Sequence, residues 1–143
     1  MKLDPIVKKI LNKRGICAEA DIVEFLSDKP RKTYDPFLLP DMEAGVDLIL
    51  SETGKGSKIC VYGDYDADGI TSTVLMMTML SHLTSWENLS YYIPSRFEEG
   101  YGLNMEAVEQ IAAGGCDMII TVDCGSVSYE EAEYAKKLGM KIL

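Results

Sequence analysis

An apolar run, Ile59-Cys60-Val61-Tyr62, stops abruptly at Gly63 and at three aspartates, Asp64, Asp66 and Asp68, that occupy alternate positions. Few folds have a place for that juxtaposition. A buried strand that ends on charge and leads directly into the long apolar segment Ile70 to Leu83 implies a strand feeding a buried helix, with the acidic turn at their junction. Alternate residues of an extended segment point the same way, so carboxylates at i, i+2 and i+4 could meet one hard divalent cation. Without a cation they repel one another, a cost for which a plain surface turn has no use. Gly69, lacking a Cβ, permits a sharp turn and close approach of a ligand to the backbone. The expected helix carries Thr71, Ser72 and Thr73 at its N-terminus, where free N–H groups favour anions. Metal-binding carboxylates beside such amides suit a metal-bound phosphate.

Two rival motif readings fail. Asp64 to Gly69 matches the D-x-D-x-D-G start of an EF-hand calcium loop, but the twelfth position is Leu75 in place of glutamate, and the preceding segment reads as a strand. A P-loop at Thr53-Gly54-Lys55-Gly56-Ser57 fails because Ile49 stands where the first glycine should, and a strand follows where a helix should.

From Lys58 onward strand and helix alternate, the signature of a parallel sheet covered on both faces. Strand 59–63 feeds helix 70–84, and strand 90–93 leads into the loop Pro94 to Asn104. Asn104 caps a helix to Ala113, and the unbroken apolar run to Val122 is a buried parallel strand. Ser128 and Glu131 have the spacing of a capping box for a helix ending at Gly139, and Met140 opens a fourth strand. The chain stops inside that element, so the expectation is a truncated product. Before Lys58 the pattern is helical. Asp4 and Pro5 open a helix with Ile6, Val7, Ile10 and Leu11 on one face, and a second run buries Ile22, Val23, Phe25 and Leu26 before Pro30. Asp41 caps a third helix to Ser51, and 52–57 reads as a flexible join. The expected division is a helical extension and linker over 1–57 and an α/β domain over 58–143.

Asp123 ends the third strand as the first cluster ends the first. Open α/β sheets bind ligands on that edge, at a switch in strand order, so the two acidic strand ends could converge. Gly125 and Ser126 add small side chains and N–H groups for a phosphate. In the loop between, Arg96 can serve as a phosphate fork and Tyr101 as a stacking platform for a base. His82 lies too far along its helix to join them.

A chain of 143 residues, 47% hydrophobic, can bury a sizeable core. No stretch approaches the roughly 20 apolar residues of a membrane span, and charge interrupts any signal peptide at the N-terminus, so the cytoplasm is the expected location and no membrane is involved. Cys17, Cys60, Cys116 and Cys124 form no C-x-x-C pair and read as reduced thiols. The formal charge of −9 argues against gripping nucleic acid by bulk electrostatics, although carboxylates loaded with metal would reverse that locally.

Four stretches, LDPIVKKILNKRG at 3–15, VYGDYDADGITST at 61–73, YIPSRFEEGYGLN at 92–104 and IITVDCGS at 119–126, together resemble the N-terminal part of the RecJ family of single-stranded-DNA exonucleases, within the DHH phosphoesterase superfamily. The resemblance implies a Rossmann-like parallel sheet with helices on both faces, a partial DHH domain, carrying one or two manganese or magnesium ions (Mn2+ or Mg2+) that activate water for phosphodiester hydrolysis. It implies single-stranded DNA degraded from its 5′ end, in recombination and repair. By position the metal and catalytic residues fall on Asp66, Asp68 and Asp123, with Asp64 adjacent as a direct ligand or a partner of one. Tyr62 stands where some relatives place a metal-binding histidine. The Asp-His-His motif that names the superfamily is expected after the strand at Met140 and is not present, so the chain is expected to fold at least in part and to have little activity alone. The resemblance also leaves a smaller DHH-type phosphodiesterase for cyclic dinucleotides or oligonucleotides, a manganese pyrophosphatase, or a non-catalytic binding module.

Overall fold

Side chains alternate across the sheet, and that period decides where the two cores lie. In the computed structural model, which describes residues 3–29 and 33–143, the elements in chain order are α1 (Pro5–Lys13), α2 (Glu19–Phe25), α3 (Met42–Lys55), β1 (Ile59–Tyr62), α4 (Ala67–Ser81), β2 (Leu89–Tyr92), α5 (Met105–Ala113), β3 (Met118–Thr121), α6 (Tyr129–Lys137) and β4 (Lys141–Ile142). The strands are parallel and ordered β2-β1-β3-β4. Ile59 and Val61 of β1 join Met118 and Ile120 of β3 in one core, closed by Met77 and Leu80 of α4, with Leu48 and Ile49 of α3 against it. Cys60, Tyr62 and Ile119 point the other way. They pack with Ala107, Val108 and Ile111 of α5 and Ala135 of α6. The result is the expected α/β sheet covered on both faces.

The chain divides into two compact units, one through Pro40 and one from Asp41 to Leu143. In this division α3 lies in the same unit as the sheet, whereas the boundary expected from sequence follows residue 57. Glu52, assigned from sequence to a flexible join, is 4% exposed and accepts from Lys55, Ser57 and Lys141 at 2.7, 2.9 and 2.5 Å. The helix therefore continues a turn past Ser51 and ends at left-handed Gly56. Asp41 does not cap it through its side chain; its own φ is 59°.

In the first unit Asp4 caps α1 as expected, accepting from the Ile6 amide at 2.8 Å. Among the described residues of this unit only Leu11 and Ile22 are fully buried, whereas Ile6, Ile10, Val23 and Leu26 are exposed, contrary to the periodicity reading. Pro30, Arg31 and Lys32 lie outside the described residues, so the expected stop before Pro30 and part of the irregular connection fall there; α2 itself ends at Phe25.

Two further expectations change. Helix α4 begins at Ala67, three residues early, and is not buried all round: Val74 and Leu75 are 60% and 73% exposed. Ser128 makes no side-chain capping bond to α6, so the capping box does not form. With Leu75 inside α4 and a strand before Asp64, the EF-hand reading is excluded, and Thr53 to Gly56 closes α3 in place of forming a P-loop.

Candidate metal centre

Strands β1 and β3 are neighbours, with Tyr62 beside Thr121, and Asp64 and Asp123 each lie two residues beyond that pair. The chain leaves β1 toward β2 on one side and comes back to β3 on the other. The two acidic ends therefore flank the switch in strand order, the place where open sheets leave a crevice at their carboxyl edge.

Close packing fixes Asp64. A Cβ on Gly69 would lie 2.3 Å from the Asp64 carbonyl oxygen and 2.6 Å from its carbonyl carbon and amide nitrogen, and a Cβ on Gly63 would lie 2.1 Å from Thr73 Oγ1. The first turn of α4 thus sits directly on the backbone of residues 63 and 64. The room that Gly69 was expected to give a ligand is filled by the chain itself. Under that turn Asp64 is 1% exposed, and its Oδ1 has no hydrogen-bond partner. A buried carboxylate oxygen without a donor is an unmet demand for positive charge.

The three aspartates do not share one face of an extended segment, as their spacing suggested. Asp66 is the N-cap of α4, and its Oδ1 accepts from the amides of Asp68 and Gly69, both at 3.0 Å. Asp68 lies exposed in the first turn. The amides expected to face a phosphate are thereby occupied. Thr71 is in the second turn, donating to the carbonyls of Ala67 and Asp68, beside half-buried Ser72; Thr73 donates to Gly69.

Asp123 meets this group from β3. Its carboxyl is held above the usual aspartate range, first by desolvation and then by the charges of Asp66, Asp68 and Asp64 and a side-chain hydrogen bond with Asp66. Four carboxylates from two strand ends share one field. They converge without closing: among the described residues no three His, Cys, Asp or Glu side chains already form a cage for an ion. Asp123 also has φ 58°, left-handed for a non-glycine residue.

The donor set fits a hard cation. It is all carboxylate, which suits magnesium or manganese and not a soft metal. Cys124 does not alter this: burial, then Asp64 and Asp123, push its thiol up to about 11. His82, at the far end of α4, stands well away from the carboxylates. Tyr62 is wholly buried and donates to the Gly102 carbonyl at 2.9 Å, so its hydroxyl serves the next loop and not a metal.

That loop, 94–104, hangs on an aromatic pair. Tyr62 and Tyr92, in register on adjacent strands, stack at 5.3 Å between centroids and 8° between planes. Arg96 lies 5.3 Å from the ring centre of Tyr65, which sits between Asp64 and Asp66 in the chain. Tyr101 reaches the Asp123 carbonyl at 3.4 Å and, with Asp123, Cys124, Gly125, Ser126 and Val127, lines a cleft of about 640 Å³. The sequence reading missed Tyr65 and Glu99. The Tyr62–Tyr92 pair was legible in principle, since two tyrosines at the ends of adjacent parallel strands fall on one face.

Residues 58–143 match the DHH family, N-terminal domain. The chain belongs to the DHH family. Over its whole length it is similar to the single-stranded-DNA-specific exonuclease RecJ of Bacillus subtilis, at 40% identity over 143 residues and 18% of that relative. The RecJ of Escherichia coli is 34% identical over 99% of this chain and 24% of its own length. The chain thus spans less than a quarter of these curated relatives. A crystal structure of exonuclease RecJ bound to manganese superposes with TM-score 0.65 at 34% identity, over 73% of this chain and 27% of that one. RecJ of Thermus thermophilus in complex with Mn2+ gives 0.64 over 99% of this chain and 21% of its own; at 22% identity it speaks for the fold alone.

Proposed function

We propose that the chain supplies the carboxylate-bearing N-terminal part of a metal-dependent nuclease that hydrolyses phosphodiester bonds of single-stranded DNA from the 5′ end, in recombination and repair in the cytoplasm. The observation that carries this reading is the buried, partnerless Oδ1 of Asp64, one of three carboxylates whose charges act on Asp123. Asp64, Asp66, Asp68 and Asp123 would hold Mn2+ or Mg2+, with Asp66, Asp68 and Asp123 nearest the reacting phosphate. Bound there, the cation would supply Lewis-acid polarisation of a phosphoryl oxygen and lower the pKa of a water. The chain's own residues do the rest. Arg96, already beside Tyr65, offers a planar fork to phosphate oxygens. Tyr101 offers a ring to a base, and the Gly125 and Ser126 segment bounds the cleft through which the strand would pass. Thr71 hydroxyl is engaged within α4, so Gly69, Thr71 and Ser72 support the site by packing the first turns of that helix more than by contact with substrate.

Titration of the chain with Mn2+ by calorimetry tests this, with thermal unfolding as a readout independent of catalysis. Binding lost in Asp64→Asn and in Asp123→Asn is expected, and equal binding by wild type and both variants would refute it. Because the carboxylates are not closed round one point and most face solvent, the 143-residue chain is expected to degrade single-stranded DNA weakly or not at all. Robust manganese-dependent degradation by this chain, abolished in Asp66→Ala, would overturn that expectation.

A further inference from the structure

The 94–104 loop presents Arg96 and a phenylalanine, Phe97, that is 96% exposed and packs on nothing that explains it. Exposed side chains of that kind are useful only on a base that does not move. The base is built at both ends. At one end the buried Tyr62 hydroxyl donates to the Gly102 carbonyl, while Asn104 Nδ2 donates to that same hydroxyl at 3.3 Å. At the other, the Glu99 carboxylate reaches back along its own loop. One oxygen accepts from Tyr92 Oη at 2.5 Å and the other from the backbone amide of Ser95 at 2.6 Å, the residue immediately before Arg96. The Glu99 amide in turn donates to the Ser95 carbonyl at 3.0 Å, which closes the turn that contains Arg96. Tyr92 is itself fixed by its stack on Tyr62 in the core.

We propose that Glu99 is a positioning residue: by joining the Ser95 amide to Tyr92 it sets the root of Arg96 beside the carboxylate cluster, and so acts on substrate through Arg96. The inference rests on the reading of the site given above and adds to it a residue that touches neither metal nor phosphate. Its hydrogen bonds agree with a carboxylate that stays ionised. Glu99 is held below the usual range, first by the Ser95 amide and then by Tyr92, whereas Tyr92 is pushed up to about 12, so at neutral pH the phenol donates and the carboxylate accepts.

A double-mutant cycle on the chain tests it, read by fluorescence anisotropy of a labelled oligothymidylate with Mn2+ present. Glu99→Ala is expected to weaken binding about tenfold, the scale of one lost charge-assisted contact. Glu99→Gln keeps an acceptor for Ser95 and recovers most of that loss. In the Arg96→Ala background Glu99→Ala should weaken binding no further, while its effect on the melting temperature stays the same in both backgrounds. A purely structural role predicts the opposite, an equal extra loss of binding with and without Arg96, and that result overturns the inference. If Glu99→Ala does not fold, Tyr92→Phe removes one of its donors and should still weaken binding about threefold, with no effect in the Arg96→Ala background. Binding unchanged in Tyr92→Phe and Glu99→Gln alike, and also in Glu99→Ala, overturns the positioning role alone. Absence of oligonucleotide binding by the wild-type chain overturns the nucleic-acid reading itself, and the positioning role with it.

Discussion

Asp64→Asn separates the requirements of the fold from those of a metal. In the metal-free chain the Asp64 carboxylate is 1% exposed, lacks a partner at Oδ1 and shares the charge field of Asp123. Asparagine has nearly the same shape, carries no charge and places an N–H donor among carboxylate acceptors. Relief of one unsatisfied buried group is worth about 1–3 kcal/mol. The unit from Asp41 to Leu143 has on the order of 100 residues and an unfolding entropy of about 0.2 kcal/mol/K, so a gain of about 2 kcal/mol raises its melting temperature by about 10 °C. Manganese at a hundredfold excess over its dissociation constant should stabilise the wild type by about 2.7 kcal/mol and leave the variant where it was. Calorimetric melts in chelator and in Mn2+ should therefore cross: the variant melts higher in chelator, the wild type moves up with metal and the variant does not. If Asp64→Asn melts below wild type in chelator and both respond to manganese alike, the buried carboxylate is not held in place for a cation and the argument fails.

Three other substitutions probe the frame around the site. Gly69→Ala puts a methyl group within 2.3–2.6 Å of Asp64 backbone atoms that cannot rotate away, so urea denaturation should find it less stable by about 2–3 kcal/mol. Tyr62→Phe leaves the buried Gly102 carbonyl and Asn104 without their shared hydroxyl and should lose about 1–2 kcal/mol, with faster amide exchange confined to 95–104. Glu52 is held down at about 2 from its ordinary 4.5, chiefly by Lys141 and then by Lys55 and Ser57. Its stabilisation is therefore complete above pH 4.5 and is lost as pH falls through about 2; Lys141→Met should make acid unfolding begin at higher pH, as followed by circular dichroism.

Much of the fold could be read along the chain because its determinants are local. Ile59 and Val61 alternate with Cys60 and Tyr62, and that period alone assigns each to its core. Asn104 and Asp4 cap helices by bonds two or three residues long. What escaped reading was decided at a distance or by a competing local signal. Glu52 looks solvated until Lys141, 89 residues later, is placed against it. Asp66-Ala67-Asp68-Gly69 has the composition of a turn, and only the packing of Gly69 on Asp64 lets a glycine sit in the first turn of a helix capped by Asp66. Ser128 and Glu131 have the capping-box spacing, but the backbone at Ser128, with ψ 57°, is not extended as a cap requires. The convergence of Asp64 with Asp123 was inferable from two acidic strand ends. The role of Glu99 was not, since nothing in a run of two glutamates distinguishes the one that turns inward.

The irregularities of the structure fall together, and their placement bears on function. The one buried side-chain oxygen without a partner among the described residues belongs to Asp64. One of the two left-handed non-glycine residues among them is Asp123, and it is also a carboxyl raised first by desolvation and then by its neighbours' charges. Each departs from what folding alone favours, and each could be relieved locally: asparagine or glycine accepts a left-handed turn more readily, and an apolar residue accepts burial. Asp41, the other left-handed residue, shows that such a conformation can also occur where a helix merely begins. At the switch point, however, the backbone strain of Asp123 and the orphaned oxygen of Asp64 each lie two residues beyond one of two adjacent strand ends, and the charges of Asp66 and Asp68 follow directly after Asp64. What these positions share is negative charge, not turn chemistry. A site that keeps charge against the preference of the fold is one whose missing term in the energy is positive, and a divalent cation between β1 and β3 supplies a term of that sign.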